Sequence, residues 1–166
     1  MKKLVFLSVM FITATCFGAM IEAETMELGL SGYLDFDDPD GHVATQVDSN
    51  LGYFFLDDVE AGGVASFCNT GSDLGIGLGA FAEAILNINY PVAPFIAASI
   101  QYKFGDYFEH NHLLFEGNAG LKFFLTDYLA INGGFVYSLA TEDVYINNGE
   151  AKNHDAGMRL GLSCYF

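Results

Sequence analysis

The last segment of the chain, HDAGMRLGLSCYF (residues 154–166), alternates strictly between two kinds of side chain. One series is apolar and ends at Phe166, whereas the other is small, polar or charged. A period of two residues is typical of a β-strand with one apolar face. The alternation continues to the final residue, although chain ends usually fray. The pattern therefore predicts a terminal strand that is held by pairing up to its end.

Seven earlier segments show the same alternation, and no stretch has a convincing helical period. The predicted strands are Met26–Phe36, Val43–Phe55, Val59–Cys68, Leu74–Leu86, Val92–Phe104, Leu113–Leu125 and Tyr128–Ala140. Short connections alternate with longer, mostly acidic or polar ones. This asymmetry is typical of an up-and-down barrel whose two ends face different surroundings. The chain is thus predicted to be all-β, an eight-stranded antiparallel barrel with both chain ends at the short-turn side.

The first 23 residues, MKKLVFLSVMFITATCFGAMIEA, have the three regions of a Sec-type signal peptide. Lys2 and Lys3 precede an apolar run, and small residues allow cleavage after either Gly18 or Ala23. A retained membrane anchor is the alternative, but the apolar run is short for a span. We therefore expect a signal peptide over 1–23 and a single barrel domain over 24–166.

The apolar face of the sheet is predicted to contact lipid. Its series in the first strand and in the fourth to seventh strands contains no charged residue, and the opposite face is rich in Gly, Ser and Asn. A soluble barrel would carry many charged residues on its outer face, whereas small side chains suit the narrow interior of an eight-stranded barrel. A closed barrel also leaves no unpaired backbone in lipid. The pattern indicates a transmembrane β-barrel.

Aromatic residues cluster near the predicted strand ends, as expected for rings at the two membrane interfaces. The short-turn group is Tyr53, Phe54, Phe55, Tyr90, Phe123, Phe124, Tyr128, Tyr165 and Phe166, and the long-loop group is Phe36, Phe67, Phe104 and Tyr107. The formal net charge of −15 disfavours nucleic acid as a partner.

Three stretches, YFFLDDVEAG, LKFFLTDYLAINGGFVYSL and the closing GLSCYF, resemble the small outer-membrane β-barrels of the OmpA/OmpX type. The resemblance covers the chain after the signal peptide, and Ser49 departs from it by interrupting an apolar series. It implies a bacterial outer-membrane location and a last strand that pairs with the first. It also implies that the barrel-assembly machinery reads Tyr165 and Phe166 as a C-terminal signal. The family includes adhesins, structural proteins and enzymes, so it does not select one role.

The inward series places opposite charges inside the barrel, where a buried charge must be paired. We expect Arg159 to pair with Glu27 across the closing seam and Lys122 to pair with Glu83 or Glu116. The inward charged residues are Glu27, Asp48, Glu83, Glu116, Lys103, Lys122, Asp155 and Arg159. Such pairs would fill and rigidify an occluded lumen. An ion-conducting path is the alternative.

The residues of the predicted loops indicate no catalytic, cofactor or metal site. His110, His112 and His154 lack the neighbouring Ser that a lipid hydrolase of this architecture requires. The acidic stretch DFDDPDG (35–41) fails the calcium-loop spacing because Pro39 occupies a ligand position. Cys68 and Cys164 are predicted at opposite rims, too far apart for a disulfide. We therefore expect two unpaired thiols.

The sequence favours a non-enzymatic, monomeric barrel with a structural, membrane-integrity or surface-interaction role. Its acidic external loops around 37–42, 69–73, 105–112 and 141–153 would meet any extracellular ligand. Outer-membrane lipid and the assembly machinery are the expected partners. A small-solute or ion pore is the alternative function, and a lipid-modifying enzyme is the third.

Overall fold

The computed structural model describes residues 21–35, 44–69, 73–86, 91–108, 110–147 and 150–166. Most of the predicted signal peptide and of the DFDDPDG loop lies outside these residues. Eight long strands form the barrel: β1 (Met26–Asp35), β2 (Ala44–Leu56), β3 (Val59–Asn69), β4 (Leu74–Ile85), β5 (Val92–Gly105), β6 (His112–Thr126), β7 (Leu129–Ala140) and β10 (His154–Tyr165). All eight predicted strands are confirmed, each end within one or two residues.

The barrel is closed and antiparallel throughout. Each long strand pairs with its neighbour in sequence, and β1 pairs with both β2 and β10. At the seam the Met26 N–H donates to the Phe166 carbonyl over 2.8 Å, and the Phe166 N–H donates to the Met26 carbonyl over 3.0 Å. The prediction that the last strand pairs with the first is confirmed, so the terminal strand is held up to its final residue.

A small hairpin, β8 (Tyr145–Asn147) with β9 (Glu150–Lys152), lies in the connection before β10. It is an addition to the predicted fold, because three-residue strands are too short to show a period in sequence. In the described part of the chain, no helix is long and apolar enough to cross a membrane.

Side chains divide cleanly between the two faces of the closed sheet. The outward face carries large exposed Leu, Ile, Phe and Tyr side chains, and Met158 (82% exposed) and Leu160 (67%) are among the most exposed residues. No Asp, Glu, Lys or Arg faces outward from the described side chains of the eight long strands. The inward face holds the buried polar and charged residues, glycines, and a group of buried apolar side chains at the short-turn end. The predicted partition of the two faces is therefore present in the structure.

The interfacial placement of the aromatic residues is partly wrong. Tyr53, Phe55, Phe123, Tyr128 and Phe166 are exposed as expected. Three members of the short-turn group instead turn into the lumen.

Phe54 is fully buried, Tyr165 is 4% exposed and Phe124 packs against them. Alternate residues of a strand point to opposite faces of the sheet. These three residues occupy positions that point into the lumen, and their aromatic character does not change that. They belong to an apolar plug that fills the short-turn end of the lumen. Its members are Ile21, Phe54, Ile85, Ala93, Phe95, Ala130 and Tyr165, with Ala97 and Phe124 against them.

Candidate functional site

Lys122 lies at the centre of a buried charge cluster just beyond the apolar plug. Its Nζ atom is 2.7 Å from Glu27 Oε2 and 2.5 Å from Glu83 Oε1. It also donates to the Tyr165 hydroxyl over 3.1 Å and lies over the rings of Phe95 and Tyr165. The side chain of Lys122 is 1% exposed. The ammonium therefore links its own strand, β6, to β1, β4 and β10, none of which pairs with β6 in the barrel.

Glu83 lies close to two other acidic side chains inside the barrel, Glu27 and Glu60. Glu27 uses its second oxygen to accept the Ser163 hydroxyl over 2.7 Å. Glu60 is fully buried, and both of its carboxylate oxygens lack a hydrogen-bond donor among the described residues. Oxygens offered by Glu27, Glu60 and Glu83 lie within 4.8 Å of one another. We call these three residues the three-glutamate cluster.

Strand register brings the members of this cluster together. Glu60 is the second residue of β3 and lies opposite Glu83 of β4 and Phe54 of β2. Room for the Glu60 carboxylate comes from Gly52, where a Cβ atom would collide with Glu60 Oε2. The glycine on β2 therefore makes space for the acid on β3.

A second charge cluster lies toward the long-loop end and is centred on Glu116. Arg159 donates to Glu116 through Nη2 (2.7 Å) and Nη1 (3.4 Å). Arg159 also lies 3.5 Å from the Asp48 carboxylate. The remaining donors to Glu116 are Ser99, Gln101 and Ser138, at 3.0–3.3 Å. A carboxylate this well supplied with donors is held ionised and rigid.

Lys103 reaches this second cluster through a relay. It donates to the Ser66 hydroxyl, which donates to Gln101 over 3.1 Å, and Gln101 in turn donates to Glu116. Lys103 is predicted as a member of a direct ion pair. Among the described residues its hydrogen-bond partner is instead a hydroxyl, although the side chain is buried in the lumen as expected.

Two cavities lie along the barrel axis. A small cavity of about 90 Å³ touches both charge clusters, since Glu27, Glu83, Asp48 and Arg159 all line it. A wide vestibule of about 860 Å³ opens at the long-loop end, above the second cluster. Its wall includes Tyr107, Phe108, Tyr145 and the acidic side chains Glu142 and Asp143. Burial raises the pKa of the Tyr145 phenol to about 12, so this ring stays neutral.

The predicted pair between Arg159 and Glu27 does not form. Arg159 lies beside Glu116 and Asp48, and Glu27 lies beside Lys122. The register explains the difference, because Glu27 is level with Tyr165, six positions from Arg159 along β10. Six residues of a strand span about 20 Å, beyond the reach of an arginine. Lys122 forms an ion pair with Glu83, the first of the two partners predicted for it.

Two inward residues of these clusters were missed in the sequence. Glu60 lies within the predicted strand Val59–Cys68 but is absent from the predicted inward charges, and Gln101 is absent from the predicted polar partners. Counting back in steps of two from Ser66 and Gly62 places Glu60 on the inward face, so the signal was present. Asp155, predicted inside with the other charges, is exposed at the rim of the vestibule.

The cysteine and histidine residues form no reactive set in the described chain. Cys68 is buried, Cys164 is exposed, and both are free thiols, as predicted. His112 is buried and contacts the His110 carbonyl over 3.0 Å. Within the described residues, the three-glutamate cluster is the only group of three or more His, Cys, Asp or Glu residues whose ligand atoms lie close enough together to hold a metal ion.

Comparison with solved structures identifies similar folds. The N-terminal β-barrel domain of Pseudomonas aeruginosa OprF matches with a TM-score of 0.60 and 14% identity, over 87% of this chain and 98% of that chain. Neisserial surface protein A (NspA) matches with a TM-score of 0.55 and 15% identity, over 86% and 96%. The sequence matches no family model and no curated protein sequence. The resemblance to small outer-membrane β-barrels is thereby confirmed at the level of the fold.

Proposed function

We propose that this protein is an integral protein of the bacterial outer membrane with a structural, membrane-integrity role and a closed lumen. The observation that carries the proposal is the outward face of the barrel. That face presents exposed Leu, Ile, Phe and Tyr side chains around the whole closed sheet, without a charged residue among its described positions. Monomeric soluble proteins rarely expose apolar patches beyond a few hundred Å². Lipid is the solvent that such a face fits.

Two sets of side chains that fill the lumen, one apolar and one charged, support a closed rather than a conducting lumen. The apolar plug fills the short-turn end, and Lys122 with its carboxylate partners fills the level next to it. A conducting path would require both sets to rearrange, and removing one partner of a buried ion pair is costly. The small-solute or ion pore is therefore the less favoured function.

External interactions would use the vestibule and the acidic loops around it. Glu142 and Asp143 at its wall are acidic, and the rings of Tyr107 and Phe108 offer apolar contact. A monomer suits this arrangement, because the closed barrel leaves no sheet edge free for a second chain. During assembly, Phe166 at the end of β10 would be the residue that the barrel-assembly machinery reads.

The first described residues favour one of the two predicted signal cleavage sites. Ile21 is 6% exposed and belongs to the apolar plug. Its carbonyl accepts the Asp58 N–H over 3.1 Å, and the Ala23 N–H donates to the Asp57 carboxylate over 2.9 Å. Cleavage after Gly18 would keep these contacts, whereas cleavage after Ala23 would remove them. We therefore favour a signal peptide that ends at Gly18.

Fractionation and solubility test the location. The protein is expected in the outer-membrane fraction, to require detergent for extraction, and to migrate faster on gels when unheated than when boiled. A protein that is folded and monomeric in buffer without detergent would contradict the proposal, because its apolar face would then be stable in water.

Planar-bilayer recordings and a deletion strain test the role. The folded protein is expected to show no stable conductance steps, and the deletion strain is expected to become sensitive to detergents. Steady ion conductance by the wild-type protein would favour the pore instead. Loss of lipid A acyl chains on overexpression would favour the lipid-modifying enzyme.

A further inference from the structure

We propose that the three-glutamate cluster, Glu27, Glu60 and Glu83, binds one divalent cation of the hard class, such as Ca²⁺ or Mg²⁺. The sequence predicts no metal site. The acidic stretch DFDDPDG (35–41) contributes no residue to this cluster. The site lies in the interior of the barrel and does not involve the outward face that is proposed to contact lipid.

With all three of its carboxyl groups ionised, the cluster would carry two negative charges beyond the one that Lys122 balances. The Lys122 ammonium contacts Glu27 and Glu83, the Glu60 carboxyl group lies beside those two, and all four side chains lie inside the barrel. Uncompensated charge is costly in such an environment. Lys122 balances one carboxylate, and a divalent cation would balance the other two.

Glu60 is the residue that points to a ligand. Its side chain is fully buried, and neither carboxylate oxygen receives a hydrogen bond from the described residues. The nearby donors are engaged elsewhere, since Ser163 donates to Glu27 and Lys122 serves both Glu27 and Glu83. A proton on Glu60 would be donated to the neighbouring Glu27 carboxylate, but the second oxygen of Glu60 would still lack a donor. A metal ion can bind both.

The donor set selects the class of metal. Carboxylate oxygens within 4.8 Å of one another are suited to hard cations, and neither sulfur nor imidazole is present in the cluster. The adjacent cavity of about 90 Å³ is lined by Glu27 and Glu83 and has room for water molecules that would complete the coordination.

Calorimetric titration of the detergent-solubilised, EDTA-treated protein tests the site directly. Addition of Ca²⁺ or Mg²⁺ alone is expected to reveal one binding site per chain and to raise the unfolding temperature. Glu60→Gln is expected to weaken binding by more than roughly tenfold, because it removes a direct ligand and loss of even an outer-shell partner typically costs about 10–100-fold. The matched control Glu142→Gln, the same substitution at the vestibule wall, should bind as the wild type does.

Terbium luminescence locates the ion within the lumen. The chain contains no Trp, so sensitised emission arises from nearby tyrosine, and Tyr165 adjoins the cluster through Lys122. Tyr165→Phe should lower the emission while Tyr107→Phe, in the vestibule, should not.

Three outcomes would overturn the proposal. The first is a wild-type protein that shows neither binding heat nor stabilisation with Ca²⁺ and Mg²⁺. If Glu60→Gln is then as stable as the wild type in EDTA, Glu60 holds a proton instead. The second is equal loss of binding in Glu142→Gln and Glu60→Gln, which would place the ion at the vestibule. The third is terbium emission that depends on Tyr107 rather than on Tyr165.

Discussion

The Lys122 ammonium lies 2.7 Å from the Glu27 carboxylate, although 95 positions separate the two residues in the chain. They come from β6 and β1, which are not neighbours in the barrel. The contact therefore crosses the lumen and ties together strands that no backbone hydrogen bond joins. Its formation requires that the whole ring of strands is closed in the correct register.

Lys122→Met tests the energetic weight of this contact. The substitution is expected to lower the free energy of unfolding by about 3–5 kcal/mol, because it leaves buried carboxylates without their counter-charge. Urea unfolding in lipid vesicles measures the change. Lys152→Met, the same substitution in the β8–β9 hairpin, should cost less than about 0.5 kcal/mol. Equal losses of unfolding free energy in the two variants would show that Lys122 contributes no more to stability than Lys152 does.

Charged substitutions on the outward face test contact with lipid. Leu160 is exposed at the middle of β10, and Leu125 is exposed near the end of β6. Leu160→Lys should cost about 2–4 kcal/mol of unfolding free energy, and Leu125→Lys about 0–1 kcal/mol, because the penalty depends on depth in the bilayer. Unfolding in vesicles gives both values. A face that contacts water would tolerate both changes equally.

Glycine substitutions test the close approach of β4 to β5. A Cβ atom at Gly79 would collide with the backbone carbonyl of Ile100, whereas one at Gly117 meets nothing within 4 Å. Gly79→Ala is expected to destabilise the barrel by about 1–3 kcal/mol through overpacking. Gly117→Ala should stay within about 0.5 kcal/mol of the wild type. The difference in refolding yield between the two variants provides a second measurement.

Thiol counting tests both the strand map and the removal of the signal peptide. The membrane-inserted protein should contain two free thiols, Cys68 and Cys164, because Cys16 would leave with the signal. Titration with a thiol reagent in denaturant, without reductant, should therefore give two groups per chain. A mobility shift on reduction would reveal a disulfide, and a third thiol would reveal a retained leader.

The mass of the purified protein tests the cleavage site. A chain that begins at Ala19 would retain Ile21, which packs into the apolar plug. A chain that begins at Glu24 would lack it and would contradict our choice between the two sites. In the first case, Ile21→Asp should lower the unfolding temperature, since it places a charge in the plug.

The strands themselves could be predicted because their signals are local. Alternation in the segment that became β10 and the turn residues after Leu56 and Thr126 are read from a few neighbouring positions. The free state of both thiols followed from the same map, since Cys68 and Cys164 fall near opposite strand ends. Even the buried positions of Phe54 and Tyr165 follow from parity, although their aromatic character suggested the interface.

The pairing of charges inside the barrel was decided by the tertiary structure. The inward direction of Glu27, Lys122 and Arg159 follows from the sequence, because a period of two residues assigns each side chain to a face. The sequence did not determine their height in the lumen. That height depends on the register of every strand pair around the ring, and the closed barrel brings Lys122 to Glu27 and Arg159 to Glu116. The same closure places Glu60 beside two other carboxylates, a relationship between distant strands that no local pattern encodes.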